Sequence, residues 1–241
     1  MRRARRRVLV AIVVLILAVA AFALARTRSK ALEPRPAPER PTLLLLTSLP
    51  LMFSEEFSLR GGGTEALRRL QTRYRVLPIS VTSPPELARG RLLLMAQPFA
   101  QAPENLVALD NWVRSGGRVL LLVDPLLEWP SKRPLGDVLR PPPMFADTGL
   151  LAHWGLRLDA PDERGPAHRK LSGVEVFSVS PGTLRGRCAI SPDGFIADCK
   201  IDKGAAVVVA DADFLNIERL GPTSERNLDA LLEELAILER E

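Results

Sequence analysis

The chain has 241 residues, 46% apolar and 25% charged, enough to bury the core of one ordinary domain, and this excludes a fully disordered polypeptide. Eight of its 33 lysines and arginines fall in the first 30 residues, where there is no acidic side chain, so the other 211 residues hold 25 basic against 28 acidic groups. The sequence pI of about 9.7 therefore belongs to a short arm, and a nucleic-acid-binding body is excluded; one Tyr and eight Phe also leave little surface for base stacking.

Residues 8–25, VLVAIVVLILAVAAFALA, carry no charge and are bracketed by RRARRR and RTRSK. A helix of that length rises about 27 Å, close to the roughly 30 Å hydrocarbon core of a bilayer. Two readings compete. A cleaved secretory signal could be cut after Ala23 or Ala25, at a small-x-small site. The long apolar run and the cations directly after it favour an uncleaved anchor. Five basic residues before the run against three after it place residues 1–7 in the cytoplasm and the body across the membrane. The expected organisation is a basic arm over 1–7, a transmembrane signal-anchor over 8–25, a Pro-rich linker over 26–41 and an extracytoplasmic domain over 42–241. In the linker, ALEPRPAPERP has four prolines in eleven residues, which predicts an extended, hydrated spacer.

In the body, residues 42–46 (TLLLL) suit a strand buried on both faces. Gly61, Gly62 and Gly63 open a helix that Thr64 caps. A weaker strand over 76–81 contains Pro78, which points to a sheet edge. A buried strand over 91–96 (RLLLMA) leads to a helix over 103–115, stopped by Gly116 and Gly117, and then to a third inner strand over 119–123. Apolar strands alternating with helices predict an α/β fold with a mostly parallel sheet and helices on both faces. Residues 126–145 form a Pro-rich excursion too long for an ordinary connection. A short helix over 146–154, a strand over 156–159, a charged turn over 161–166 and an alternating strand over 174–179 follow. The chain closes with an antiparallel hairpin over 188–199, a buried strand over 205–210 and a helix over 223–240 with one leucine stripe.

The two cysteines yield a geometric expectation. With Asp193 and Gly194 at the centre of the hairpin turn, Cys188 and Cys199 each lie five residues out and face each other. A hydrogen-bonded pair would set their Cα atoms about 5.5 Å apart, within disulfide range, and export supplies the oxidising compartment. His153 and His168 are not at ligand spacing from the cysteines, so no metal site is expected; His153 reads as a packing histidine and His168 as solvated. Strand ends offer Ser48, Gln97, Asp124, Asp211 and Asp213, on the rim where open parallel sheets bind ligands. None of them is a cysteine in a strand-end turn, there is no G-x-S-x-G, and Gly61–Gly63 lacks the Lys and Ser/Thr of a P-loop. No catalytic residue and no cofactor are expected. A metal-assisted hydrolase or transferase using the acidic rim is the alternative, and an envelope- or sugar-binding domain with Trp129 and Trp154 as platforms is a third.

The segment ALDNWVRSGGRVLLLVDP, residues 108–125, resembles the helix-Gly-Gly-strand-Asp-Pro signature of auxiliary proteins of ABC-type transport systems, including the gliding-motility-type auxiliary subunit, and of the DUF4350 domain. DTGLLAHWGLRLD at 147–159 is similar to a helix, Trp-Gly, strand segment of that group. VVVADADFLN, with Arg226 and Asn227 beyond it, is similar to its closing strand and helix start. The resemblance implies a flavodoxin-like, three-layer sheet akin to that of class I glutamine amidotransferases, without the Cys-His-Glu set. It also implies an inner-membrane location, with a periplasmic domain beside an ABC permease or ATPase-associated membrane complex.

Overall fold

The computed structural model describes residues 32–52 and 63–240. The arm, the apolar run 8–25, the linker up to Ala31, and Gly61 and Gly62 lie outside the described residues. Among the described residues no helix is long and apolar enough to cross a membrane.

The body is mixed α/β with a seven-stranded central sheet. Five strands run parallel: β1 (Thr42–Thr47), β2 (Arg75–Pro78), β3 (Leu92–Ala96), β4 (Arg118–Leu122) and β11 (Gly204–Val209). Their order is β2-β1-β3-β4-β11, and β10 (Ile196–Ile201) and β9 (Ala189–Ile190) extend the sheet antiparallel. Pro78 does sit on the edge strand. The connection order reverses between β1 and β3, the place where open α/β sheets leave a crevice at their C-terminal rim. Two antiparallel pairs stand apart from this sheet, β5 (Leu156–Asp159) with β8 (Thr183–Gly186) and β6 (Pro166–Leu171) with β7 (Val174–Val179).

Near-continuous apolar strands are buried because both faces of the sheet are covered. On one face Leu44, Leu46, Leu93, Met95, Val119 and Leu121 pack with Leu109 and Val113 of α3 (Pro103–Arg114) and with Trp154. The residues between them, among them Leu43, Leu45, Leu94, Leu120 and Leu122, are equally buried and point the other way. There lie α1 (Glu65–Gln71) and the closing helix α6 (Asn227–Arg240), which bring Leu67, Leu70, Leu228, Leu231 and Leu235. Thr64 Oγ1 accepts the Leu67 N–H at 3.4 Å, as a cap should. Gly204 is required by packing, since a Cβ there would lie 2.1 Å from the Val113 carbonyl oxygen of α3.

The structure departs from the expected elements in five places. The predicted linker is not a free spacer throughout: from Glu33 onward it belongs to the body, with the Arg35 N–H donating to the Thr72 carbonyl at 2.9 Å and its guanidinium paired to Glu239 at 3.0 Å. Extended proline-rich backbone leaves its polar groups free for neighbouring segments, but Ala37–Glu39 instead closes a 3-10 turn on itself, so the expected extension is broken there. The helix expected over 146–154 shrinks to α4 (Leu150–His153), and α6 starts at Asn227, four residues late, behind a 3-10 turn at Pro222–Ser224. Strands β6 and β8 carry mostly polar or exposed residues and gave no apolar signal. Two further one-turn helices, α2 (Pro84–Leu87) and α5 (Ile217–Leu220), are too short for periodicity to reveal.

Cys188 and Cys199 are bonded to each other, with Cα atoms 4.8 Å apart. The register is the expected one, with Ala189 opposite Asp198 and Ile190 opposite Ala197. The pair type is not. The Ser191 N–H donates to the Ile196 carbonyl, and alternation from that hydrogen-bonded pair makes 188 and 199 a non-hydrogen-bonded pair, whose Cα atoms lie closer. The loop is also longer than two residues: Gly194, at φ +69°, donates to the Ser191 carbonyl.

Candidate functional site: a strapped acidic rim

All five residues singled out at strand ends lie on one rim. Ser48 follows β1 and Gln97 follows β3; Asp124 lies two residues past β4, and Asp211 and Asp213 lie beyond β11. The structure joins them through hydrogen bonds. Ser48 Oγ donates to the Gln97 carbonyl. Gln97 Nε2 donates to the carbonyls of Asp124 (3.2 Å) and Pro142 (3.3 Å), and its Oε1 accepts the Asp124 N–H at 2.9 Å. Asp124 accepts the Leu126 N–H on Oδ1 (2.8 Å) and the Ala212 N–H on Oδ2 (3.1 Å). Ser178 Oγ lies 2.7 and 2.8 Å from the two oxygens of Asp211 and shares its single hydrogen with that carboxyl. Asp213 Oδ2 accepts the Glu128 N–H at 2.6 Å.

Gln97 has φ +43°, a left-handed backbone uncommon for a side-chain-bearing residue. A strained turn directly after a central strand is the device by which hydrolases raise a nucleophile into a site. Here the turn carries an amide that is fully buried, with both its donor and its acceptor engaged by the protein.

The partners of these side chains define what the rim does. The excursion 126–145 is a strap seated on it. Its neck closes through Leu127 N–H to the Pro143 carbonyl (2.9 Å) and Phe145 N–H to the Asp124 carbonyl (2.7 Å). Ser180 Oγ donates to Glu128 Oε1 at 2.6 Å, and Arg219 donates to the Glu128 carbonyl. Glu128, Ser180, Ser178 and Arg219 escaped the sequence reading. A signal for two of them existed: in β7 and just after it, Val174, Val176, Ser178 and Ser180 share one buried face, and serines on an apolar stripe mark a buried polar contact.

Three carboxyls so close and so dry hold protons far more tightly than carboxyls in water. Burial, followed by the charges of Asp124 and Asp213, raises Asp211 well above the ordinary range. Burial pushes Asp124 up to about 6 against the pull of backbone donors. Asp213 rises to about 7, again through burial first and the charge of Asp124 second. Its Oδ1 is buried without a hydrogen-bond partner, a setting in which the neutral carboxyl costs less than the carboxylate. Among the described residues no group of three His, Cys, Asp or Glu side chains is placed to hold a metal ion.

The histidines stand elsewhere. His153 Nε2 lies 3.3 Å from Asp110, which also takes the Trp154 indole N–H (3.0 Å) and Arg114 (2.7 Å). Burial raises the Asp110 pKa, but these three partners together lower it further. Trp154, a possible ligand platform, is instead buried in the core. His168 is exposed on β6, 3.0 Å from Glu175.

No protein-family model and no curated protein matches the chain. Among solved structures, an exo-β-1,4-mannosidase from Opitutaceae bacterium strain TAV5 is similar at 15% identity and a TM-score of 0.51, over 81% of this chain and 36% of the mannosidase. A cytoplasmic protein from Salmonella typhimurium is similar at 10% identity and a TM-score of 0.50, over 82% of this chain and 98% of that one. The chain thus spans about a third of the mannosidase's length. Likeness at these identities speaks of the fold alone.

Proposed function

We propose that this protein is a membrane-tethered, non-catalytic α/β module of the flavodoxin type, held by residues 8–25 with its body in the periplasm, and that it serves an ABC-type transport system as an auxiliary subunit. The observation that carries the reading is the strapped rim. Where an enzyme of this fold would place its reacting groups, the side chains of Gln97, Asp124 and Asp213 anchor a loop, and Asp211 is closed off by Ser178 and the Phe214 N–H. That loop turns apolar side chains outward: Leu135, Val138, Leu139 and Met144 are each 60% to 82% exposed. Exposed apolar side chains gathered on one rigidly anchored loop are the makings of a protein-binding surface. The Cys188–Cys199 bridge supports an oxidising compartment, and the resemblance at 108–125 and 147–159 supports the transporter partner.

The test is affinity isolation of the detergent-extracted full-length protein from its native membrane, with mass spectrometry of what accompanies it. Recovery of a permease or ATPase subunit is the expected result, lost in the Leu135→Ser, Val138→Ser, Leu139→Ser triple variant. A monomer that brings nothing down under mild detergent overturns the reading.

A further inference from the structure

The opposite rim has the reverse character. Four of the five parallel strands begin on or directly behind a cation: Arg75 opens β2, Arg91 precedes β3, Arg118 opens β4 and Lys203 precedes β11. Arg89 and the end of α6, Arg240, join them, and an open groove at this rim is lined by Pro41, Arg89, Arg91, Arg118, Glu239 and Arg240. Both oxygens of Glu239 are taken by Arg35, and Arg89 is paired with Glu86. Arg75, Arg91, Arg118 and Arg240 have no carboxylate partner among the described residues; Arg118 reaches only the Gly116 carbonyl and Arg75 only Thr42 Oγ1. Such clustering stands out in a part of the chain that carries a small net negative charge.

The chain enters the body at this same rim. Glu33 is tied there through its carbonyl to Arg73, and Pro41 leads directly into β1. Only seven residues, 26–32, separate Glu33 from the apolar run, and three of them are Arg26, Arg28 and Lys30. Fully stretched they reach at most about 25 Å. A bilayer spanned by residues 8–25 would begin within that reach of Glu33, and Arg26, Arg28 and Lys30 add like charge along the intervening chain.

We propose that the basic rim docks on the anionic phospholipid headgroups of the leaflet from which the anchor emerges. Guanidinium groups bind phosphate oxygens in a planar, bidentate manner and are weakly hydrated, which suits a headgroup layer. Docking this rim turns the strap, at the other end of the strands, away from the membrane and toward soluble or protruding partner domains. The inference rests on the anchor reading of residues 8–25.

The experiment uses the full chain in lipid nanodiscs, either wholly zwitterionic or containing a third phosphatidylglycerol, with arginine modification by phenylglyoxal read by mass spectrometry. Arg91, Arg118 and Arg240 should react at least fivefold more slowly in the anionic discs, and regain the zwitterionic rate in 1 M salt, where the screening length falls to about 3 Å. Arg157 and Arg185, exposed on β5 and β8, should react alike in both. In the Arg91→Gln, Arg118→Gln, Arg240→Gln variant each lost charge weakens surface attraction about fivefold, so docking falls roughly a hundredfold and Arg75 returns to the unprotected rate. Equal reactivity in the two discs, in protein that resists carbonate extraction from vesicles, overturns the docking while leaving the anchor intact. Protein that carbonate extracts overturns the anchor and the docking with it. Protection by inorganic phosphate in zwitterionic discs, matching that of anionic lipid, would assign the groove to a soluble anion and also overturn the proposal.

Discussion

The two rims of one sheet show how differently a protein can treat polar side chains. At the C-terminal rim, carboxyls, serines and an amide are buried, and nearly every atom is matched by a donor or acceptor from a loop or strand. At the N-terminal rim, arginines stand open, several without an acidic partner among the described residues. The first arrangement fixes structure, because a buried polar group left unpaired costs far more than a paired one yields. The second contributes little to folding and leaves charge available for another surface.

Breaking the buried rim should therefore have the largest effect. Gln97→Ala strips partners from the Asp124 N–H and from the Asp124 and Pro142 carbonyls, at a cost of roughly 2–4 kcal/mol. Hydrogen exchange should then rise selectively over 126–145; an unchanged strap would show that its neck bonds suffice alone. Next comes the disulfide, which closes a short loop with no hydrogen bond to the strap among the described residues. Replacing both cysteines by serine should lower stability by about 2–3 kcal/mol without altering strap exchange, as thermal unfolding and exchange would show together.

Acidity separates the rims in a second way. Asp124, Asp211 and Asp213 all have folded pKa values above that of an unfolded aspartate, so the folded state binds protons more tightly. Their contribution is complete below about pH 4 and is lost as pH rises through 6 and 7. Strap protection, corrected for intrinsic exchange, should accordingly weaken between pH 5 and pH 8, by about 2 kcal/mol or more; a strap that is tighter at pH 8 would contradict the burial of these groups. Asp110→Asn is milder, costing about 1 kcal/mol as the contacts of Arg114 and His153 weaken, visible as local exchange over α4. Smallest of all, Arg91→Gln with Arg118→Gln should change thermal stability by no more than about 0.5 kcal/mol. A large loss there would make the basic rim structural.

Much of the frame was legible because strand and helix periodicities are local. TLLLL, LLLMA, VLLLV and AAVVVA are too apolar for anything but doubly covered strands, and the placement of Pro78 at an edge follows from its missing N–H. The Cys188–Cys199 pairing was legible for the same reason, since a hairpin register depends on the turn between its arms. The pair type was not, because it depends on how many residues the turn contains. Strands β6 and β8 were invisible: PAHRKL and TLRG are polar, and only their partners β7 and β5 make them strands. At the site, strand-end position alone gathered Ser48, Gln97, Asp124, Asp211 and Asp213 on one rim. It could not reveal that the side chains of Gln97, Asp124 and Asp213 face the strap, whose contacts at Leu126, Glu128 and Pro142 come from a segment without periodicity.

The sequence by itself determined the parallel α/β order, the bridged hairpin and the concentration of charge in the first 30 residues, since each is a matter of neighbours along the chain. Only the tertiary structure decided that Gln97 is a staple on a nucleophile's turn, that three aspartates share a dry site, and that Arg75, Arg91, Arg118 and Lys203 form one basic edge. The reason is physical: residues dozens of positions apart acquire a common dielectric, a common set of hydrogen-bond partners and a common surface only when the sheet sets their strands side by side.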